Sequence, residues 1–111
     1  MNYWGGACAV TSCSLKEALR ASHAKPWKDC TSDAERLNVY NGFLLTANLD
    51  ALFDKGYISF TNDGLIMISS EIMIYSEDMR GLGISNEMKL RWLEDKHLEF
   101  LEYHHKNVWK N

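Results

Sequence analysis

Residues 22–60, SHAKPWKDCTSDAERLNVYNGFLLTANLDALFDKGYISF, decide how the rest of the chain is read. His23 stands shortly before Pro26, whose ring biases Lys25 towards an extended conformation, so His23 is expected at the start of an extended segment. Tyr40-Asn41-Gly42-Phe43 reads as a turn, because asparagine and glycine tolerate positive φ at little cost. Phe43, Leu44 and Leu45 follow as a short strand. Asn48 is the expected N-cap of a helix carrying Leu49, Leu52 and Phe53, with Gly56 as its stop. On that helix Asp50 and Asp54 lie one turn apart, which puts both carboxylates on one face. The stretch therefore reads strand, turn, strand, helix. The polar run over 28–39 reads as a loop holding one helical turn, capped at Ser32.

Upstream, Ser14 and Glu17 fit a capping box, and Leu15, Ala18 and Leu19 give the following short helix one apolar side, with its end expected near Ser22. Tyr3 and Trp4 are candidate core anchors. This abrupt aromatic start suggests a longer protein of which the chain is the C-terminal module. Cys8 and Cys13 have a spacing that zinc knuckles use, but a structural zinc needs four ligands. The chain offers no second close pair except the adjacent His104 and His105, so a structural zinc is not expected.

Downstream, the runs over 57–60 and 65–68 flank Thr61-Asn62-Asp63-Gly64 and predict a β-hairpin. A connector follows, with Met67, Met73 and Met79 expected to fill gaps in the core. Ser85 or Asn86 is the expected cap of a long C-terminal helix whose apolar positions are Met88, Leu90, Trp92, Leu93, Leu98, Leu101 and Val108. His104 and His105 suit the negative end of that helix dipole.

At 111 residues, 46% apolar and 24% charged, the chain is sized and composed as a single globular domain. Its net charge of −3 gives no global attraction to nucleic acid, which counts against a free-standing high-affinity DNA binder. A catalytic module remains open, because a bound divalent cation adds positive charge where it is needed. No apolar run approaches the roughly 20 residues of a membrane helix. Three cysteines cannot all pair within the chain and no export signal is recognisable, so reduced thiols in a cytoplasm are expected.

His23, Asn41 and Asp50, embedded in ASHAKPW and YNGFLLTANLDALFDKGYISF, resemble the motif of the HNH endonuclease family. The likeness is to the bacterial restriction-type group, in which a CxxTGC-type opening precedes an (A/S)-H-x-x-P-(W/Y) segment, an Asn-Gly turn with its strand, and a (D/H)-x-L-F-D helix. It runs from Tyr3 to Phe60, with a weaker echo in LEYHHKNVW near the end. The fold it implies is α+β: a ββα-metal (HNH) core over 20–60, with an additional β-hairpin and a long C-terminal helix over 57–111.

The resemblance also implies roles. His23 would be the general base that takes a proton from the water attacking phosphorus. Asn41 would fix the loop and orient the His23 ring. Asp50 would bind one divalent cation, with Asp54 as second ligand and His104 as an additional one; carboxylates favour Mg2+ or Mn2+. Lys25, Lys28 and Lys55 would contact phosphates of a DNA partner. Sequence recognition would then fall to an upstream domain of the same protein or to a second copy in a homodimer. Two departures stand out. Ser22 occupies the position where many members have a second metal-binding Asp or His, and Ser12 the position where glycine is common. The alternative implied by Ser22 is a catalytically weakened scaffold that binds nucleic acid or protein.

Overall fold

A computed structural model describes residues 2–110 and gives a mixed α+β architecture. Leu19–His23 (β1) leads into a long connection that contains the single turn of helix Asp33–Arg36 (α1). Gly42–Thr46 (β2) then returns antiparallel to β1, with Leu19 opposite Thr46 and His23 opposite Gly42. Ala47–Asp54 (α2) follows without a gap and packs on this pair. Ile58–Phe60 (β3) and Ile66–Ile68 (β4) form a second antiparallel hairpin. Ser76–Gly81 (α3) and Leu98–Asn107 (α4) complete the helices.

The core lies where α2 meets the two hairpins. Trp4, Phe43, Leu45, Leu49, Phe53, Ile58, Phe60 and Leu101 are all fully buried there. Each such side chain contributes roughly 1.5–3 kcal/mol of burial. Trp4 is thus the anchor that the sequence suggested; its indole also donates to Gly42 O at 2.9 Å. Arg91 ties the N-terminal segment down, with its guanidinium donating to the carbonyls of Trp4, Ala7 and Cys8. Tyr3 joins the same cluster by a short hydrogen bond to Glu94.

Helix α2 ends as expected, with Gly56 at a φ of +80°. A Cβ at this position would lie 1.9 Å from Val108 O, so only glycine allows the C-terminal stretch to cross here. Lys110 N donates to Gly56 O at 3.0 Å across that contact. The start of α2 differs from expectation by two residues: Thr46 is the N-cap, while the Asn48 amide donates instead to Leu82 O.

Four further expectations are corrected. The helix predicted from Ser14 to Ser22 is only a 3-10 turn over Lys16–Ala18, with Leu15 at the cap and no side-chain cap bond. The backbone from Leu19 onward is taken by β2, and a paired strand outweighs weak local helix propensity. The Asn41-Gly42 turn is a 3-10 turn over Val39–Asn41 capped by Asn38, and Gly42, at a φ of −100°, is already extended. The long C-terminal helix is confined to Leu98–Asn107. Residues 88–91 run extended beside the second hairpin, where Ile66 N donates to Met88 O and Leu90 N donates to Gly64 O. Arg91 N donates to Ala9 O, so this segment stitches the hairpin to the N-terminal part. Of the three methionines expected in the core, Met79 is buried, Met67 is half-buried and Met73 is exposed.

Candidate active site

Side chains alternate along β1, so neighbours Ser22 and His23 face different ways. Ser22 is buried towards α2, and its hydroxyl donates to Asp50 Oδ1 at 2.5 Å. That length fits a charge-assisted bond to a carboxylate. Asp50 belongs to the first turn of α2, where a negative side chain is favoured by the helix dipole. Position 22 and Asp50 are thereby brought together by strand pairing and the immediate start of the helix.

His23 turns towards the connection between the strands. Its Nε2 lies 3.2 Å from Arg36 O. A carbonyl only accepts, so Nε2 is the donor here, and in the neutral ring this leaves the lone pair on Nδ1. The Trp27 ring is parallel to the imidazole, 3° between planes and 6.2 Å between centroids. Arg36 is itself fixed, since its side chain donates to Trp27 O, Cys30 O and Asp33 Oδ1. Ser32 caps α1, as the sequence indicated, by accepting from Glu35 N.

Asn41 is fully buried and grips the backbone of Lys25 from both sides. Its Oδ1 accepts from Lys25 N at 2.8 Å and its Nδ2 donates to Lys25 O at 3.1 Å. The expected bond from Asn41 to the His23 ring is replaced by this clasp two residues further on; the ring is oriented by the Arg36 carbonyl instead.

Asp54 is exposed and opens onto a cleft of about 440 Å³ formed by the Pro26–Asp29 turn, the end of α2 and the stretch after α4. Lys28 and Lys55 line the same cleft, together with Lys110, which the sequence reading did not single out. Lys25 is engaged elsewhere: it pairs with Glu35 at 2.9 Å and lies over the Tyr103 ring. The Glu35 hydrogen bond raises the Lys25 pKa, although partial burial opposes it.

His104, expected as an additional ligand, is buried in the core with both ring nitrogens committed. Nε2 is 2.8 Å from Phe53 O and Nδ1 is 2.8 Å from Ser59 Oγ. Its ring stacks on Phe53, and burial lowers its pKa to about 4. Cys8, Cys13 and Cys30 are free thiols; Cys8 Sγ accepts from the amides of Val10 and Thr11 in a tight turn. Ser12 in that turn has a φ of +65°, so the place where the family commonly has glycine is one where the backbone asks for it.

Among the described residues, no group of three or more His, Cys, Asp or Glu side chains gathers to hold a metal ion. The carboxylate and hydroxyl of Asp50 and Ser22 suit a hard cation that takes most of its ligands from water and substrate phosphate, as Mg2+ commonly does. Trp27 and the Arg36 carbonyl are the two contributors to the His23 environment that sequence reasoning missed. Trp27 stood in the quoted motif; a backbone carbonyl leaves no trace in a sequence.

Residues 8–61 match the family model of the HNH endonucleases, and this part of the chain belongs to that family. The match covers β1, β2, α2 and β3, the elements that carry or support His23, Asn41 and Asp50. HNH domains are nuclease modules that bind DNA and generally use a divalent metal. No curated protein matches the chain. No helix among the described residues is long and apolar enough to cross a membrane.

Proposed function

We propose that the chain is a metal-dependent endonuclease module that hydrolyses DNA phosphodiester bonds, with β1, β2 and α2 as a ββα-metal core. The observation that carries this reading is the setting of His23. In its neutral form, a ring that donates from Nε2 to the Arg36 carbonyl has its Nδ1 lone pair left to take a proton from a water molecule, as a general base does. Nδ1 takes the proton as the water oxygen bonds to phosphorus, and the bond from phosphorus to the 3′ oxygen breaks. Asn41 positions the segment that follows His23 by fixing the Lys25 backbone. Asp50, supported by the Ser22 hydroxyl, would hold the cation. Bound there, Mg2+ or Mn2+ supplies charge neutralisation at the phosphate and the leaving oxygen. Lys28 and Lys55 assist in holding the phosphate backbone.

The wider setting we propose is restriction or defence in a cytoplasm, with this module joined to an upstream recognition domain or acting as a homodimer. The Ser22–Asp50 bond gives the second reading its footing. If that closed pair admits no cation, the module binds without cutting.

Plasmid nicking with and without Mg2+ or Mn2+ tests the proposal. Wild type is expected to nick only with metal, and His23→Ala to lower the rate by about 10²–10⁴-fold. Equal cutting by the two proteins sinks the assignment of His23.

A further inference from the structure

Trp27 is 59% exposed, more than Trp4 at 0% or Trp92 at 38%. An indole left in water forgoes the burial that usually places this residue in a core. Trp27 is nevertheless held firmly. Pro26 precedes it, its carbonyl accepts from Arg36 Nε at 3.2 Å, and its ring runs parallel to the imidazole of His23. It also forms a wall of the cleft of about 440 Å³, within the size range of small-molecule sites. Lys28, Lys55 and Lys110 line this cleft with two carboxylates, Asp29 and Asp54. Asp29 already accepts from the Tyr103 hydroxyl at 2.8 Å. Three ammonium groups against two carboxylates leave the cleft net positive on a chain whose overall charge is −3.

We propose that this cleft is a nucleobase subsite: Trp27 stacks one unpaired base of the DNA strand, and Lys28, Lys55 and Lys110 hold the phosphates on either side of it. The reading rests on the nuclease assignment above and adds a substrate preference to it. In a duplex the base faces are covered by their neighbours, so a flat aromatic wall engages only a base that has left the stack, at a nick, an end or a flipped position. Because the indole and imidazole planes are parallel, a base stacked on Trp27 lies parallel to the His23 ring. The cleft adjoins His23 through Trp27, whose ring centroid lies 6.2 Å from that of the imidazole, so the subsite selects DNA whose pairing is interrupted close to the bond to be cut.

The test is equilibrium binding to the wild-type chain in chelator, where nothing is cut, read by anisotropy of a labelled oligothymidylate and of an abasic oligomer of equal length. Trp27→Ala is expected to weaken oligothymidylate binding by about 10-fold, as removal of a stacking aromatic does, while Trp27→Phe retains most of it. The abasic oligomer is expected to bind all three proteins alike, and more weakly than oligothymidylate binds wild type. The proposal is overturned if Trp27→Ala leaves oligothymidylate affinity unchanged, or if it weakens abasic binding equally. Trp27-dependent binding by a chain that never nicks plasmid would remove the nuclease reading and keep the subsite. Nicking that needs His23 and ignores Trp27 in both assays would do the reverse.

Discussion

The two hairpins of this protein solve the same problem at different scales. β3 and β4 are joined by a turn that orders itself: Thr61 Oγ1 accepts from Asp63 N and Leu65 N, and Gly64 N donates back to Thr61 O. β1 and β2 are joined by everything from Ala24 to Asn41. Closing the longer loop costs only about 1 kcal/mol more. Fixing its backbone costs roughly 1–2 kcal/mol per residue, which is the larger demand. Side chains meet it from outside the strands: Asn41 on Lys25, Arg36 on Trp27 and Cys30, Lys25 on Glu35. The difference teaches where chemistry resides. The self-ordering turn carries none of the site residues, and the loop that must be held carries the surroundings of His23.

That contrast can be broken at its strongest point first. Asn41→Ala leaves the Lys25 amide without a partner and its carbonyl with only the weak Cys30 thiol donor, and is expected to cost about 3 kcal/mol in urea unfolding, with loss of nicking. Thr61→Ala, the matching change in the second hairpin, is expected to cost less than about 1 kcal/mol and leave nicking intact. Equal costs, or nicking that survives Asn41→Ala, would mean that the clasp does not hold the site.

The second hairpin has its own sensitivity, to pH. His104 joins Ser59 of β3 to the end of α2, and its folded pKa of about 4 lies below the ordinary histidine value of 6.5. Below 6.5 the unfolded chain takes up the proton and the folded chain does not, so stability is full above that pH and falls on the way down to 4. The expected loss is roughly 3 kcal/mol, with His97, shifted down mainly by burial, adding in the same direction. Urea midpoints that stay flat from pH 7 to pH 4 would contradict the buried, neutral state of His104.

The smallest expected effect has the opposite sign. Ser12→Gly relieves a left-handed backbone at a serine and is expected to stabilise by about 0.5–1 kcal/mol, seen as a rise in Tm. Because the Cys8–Cys13 turn lies outside both hairpins, nicking should not change.

Much of the site was legible because its signals are local. Pro26 marks the extended segment, Gly56 stops the helix, and Ser32 caps its turn. Thr61 to Gly64 announce the second hairpin for the same reason. The failures lie where partners are distant in sequence. Leu19 to His23 were read as mostly helical because their partner strand lies beyond a long loop. Met88, Leu90 and Trp92 alternate as a strand does, but Leu93, Leu98 and Leu101 continue an acceptable helical pattern, and only pairing with Gly64 and Ile66 decides between them. The clasp of Asn41 on Lys25 and the carbonyl that aims His23 are tertiary, so the identity of those residues was readable and their contacts were not.

The Asn41 clasp has a consequence for chemical lifetime. Asn41-Gly42 is the dipeptide most prone to deamidation, since glycine puts no side chain in the way when its amide nitrogen attacks the asparagine carbonyl to form a succinimide. In the folded chain that attack is blocked twice: the Gly42 amide donates to Val39 O, and both ends of the Asn41 amide are held by Lys25. Each unfolding releases both locks. Conversion to aspartate then removes the Nδ2 donor and sets a carboxylate against the Lys25 carbonyl, so a molecule damaged while open cannot close its clasp again. Damage at Asn41 is thus expected to count how often the chain has opened, not how long it has stood folded.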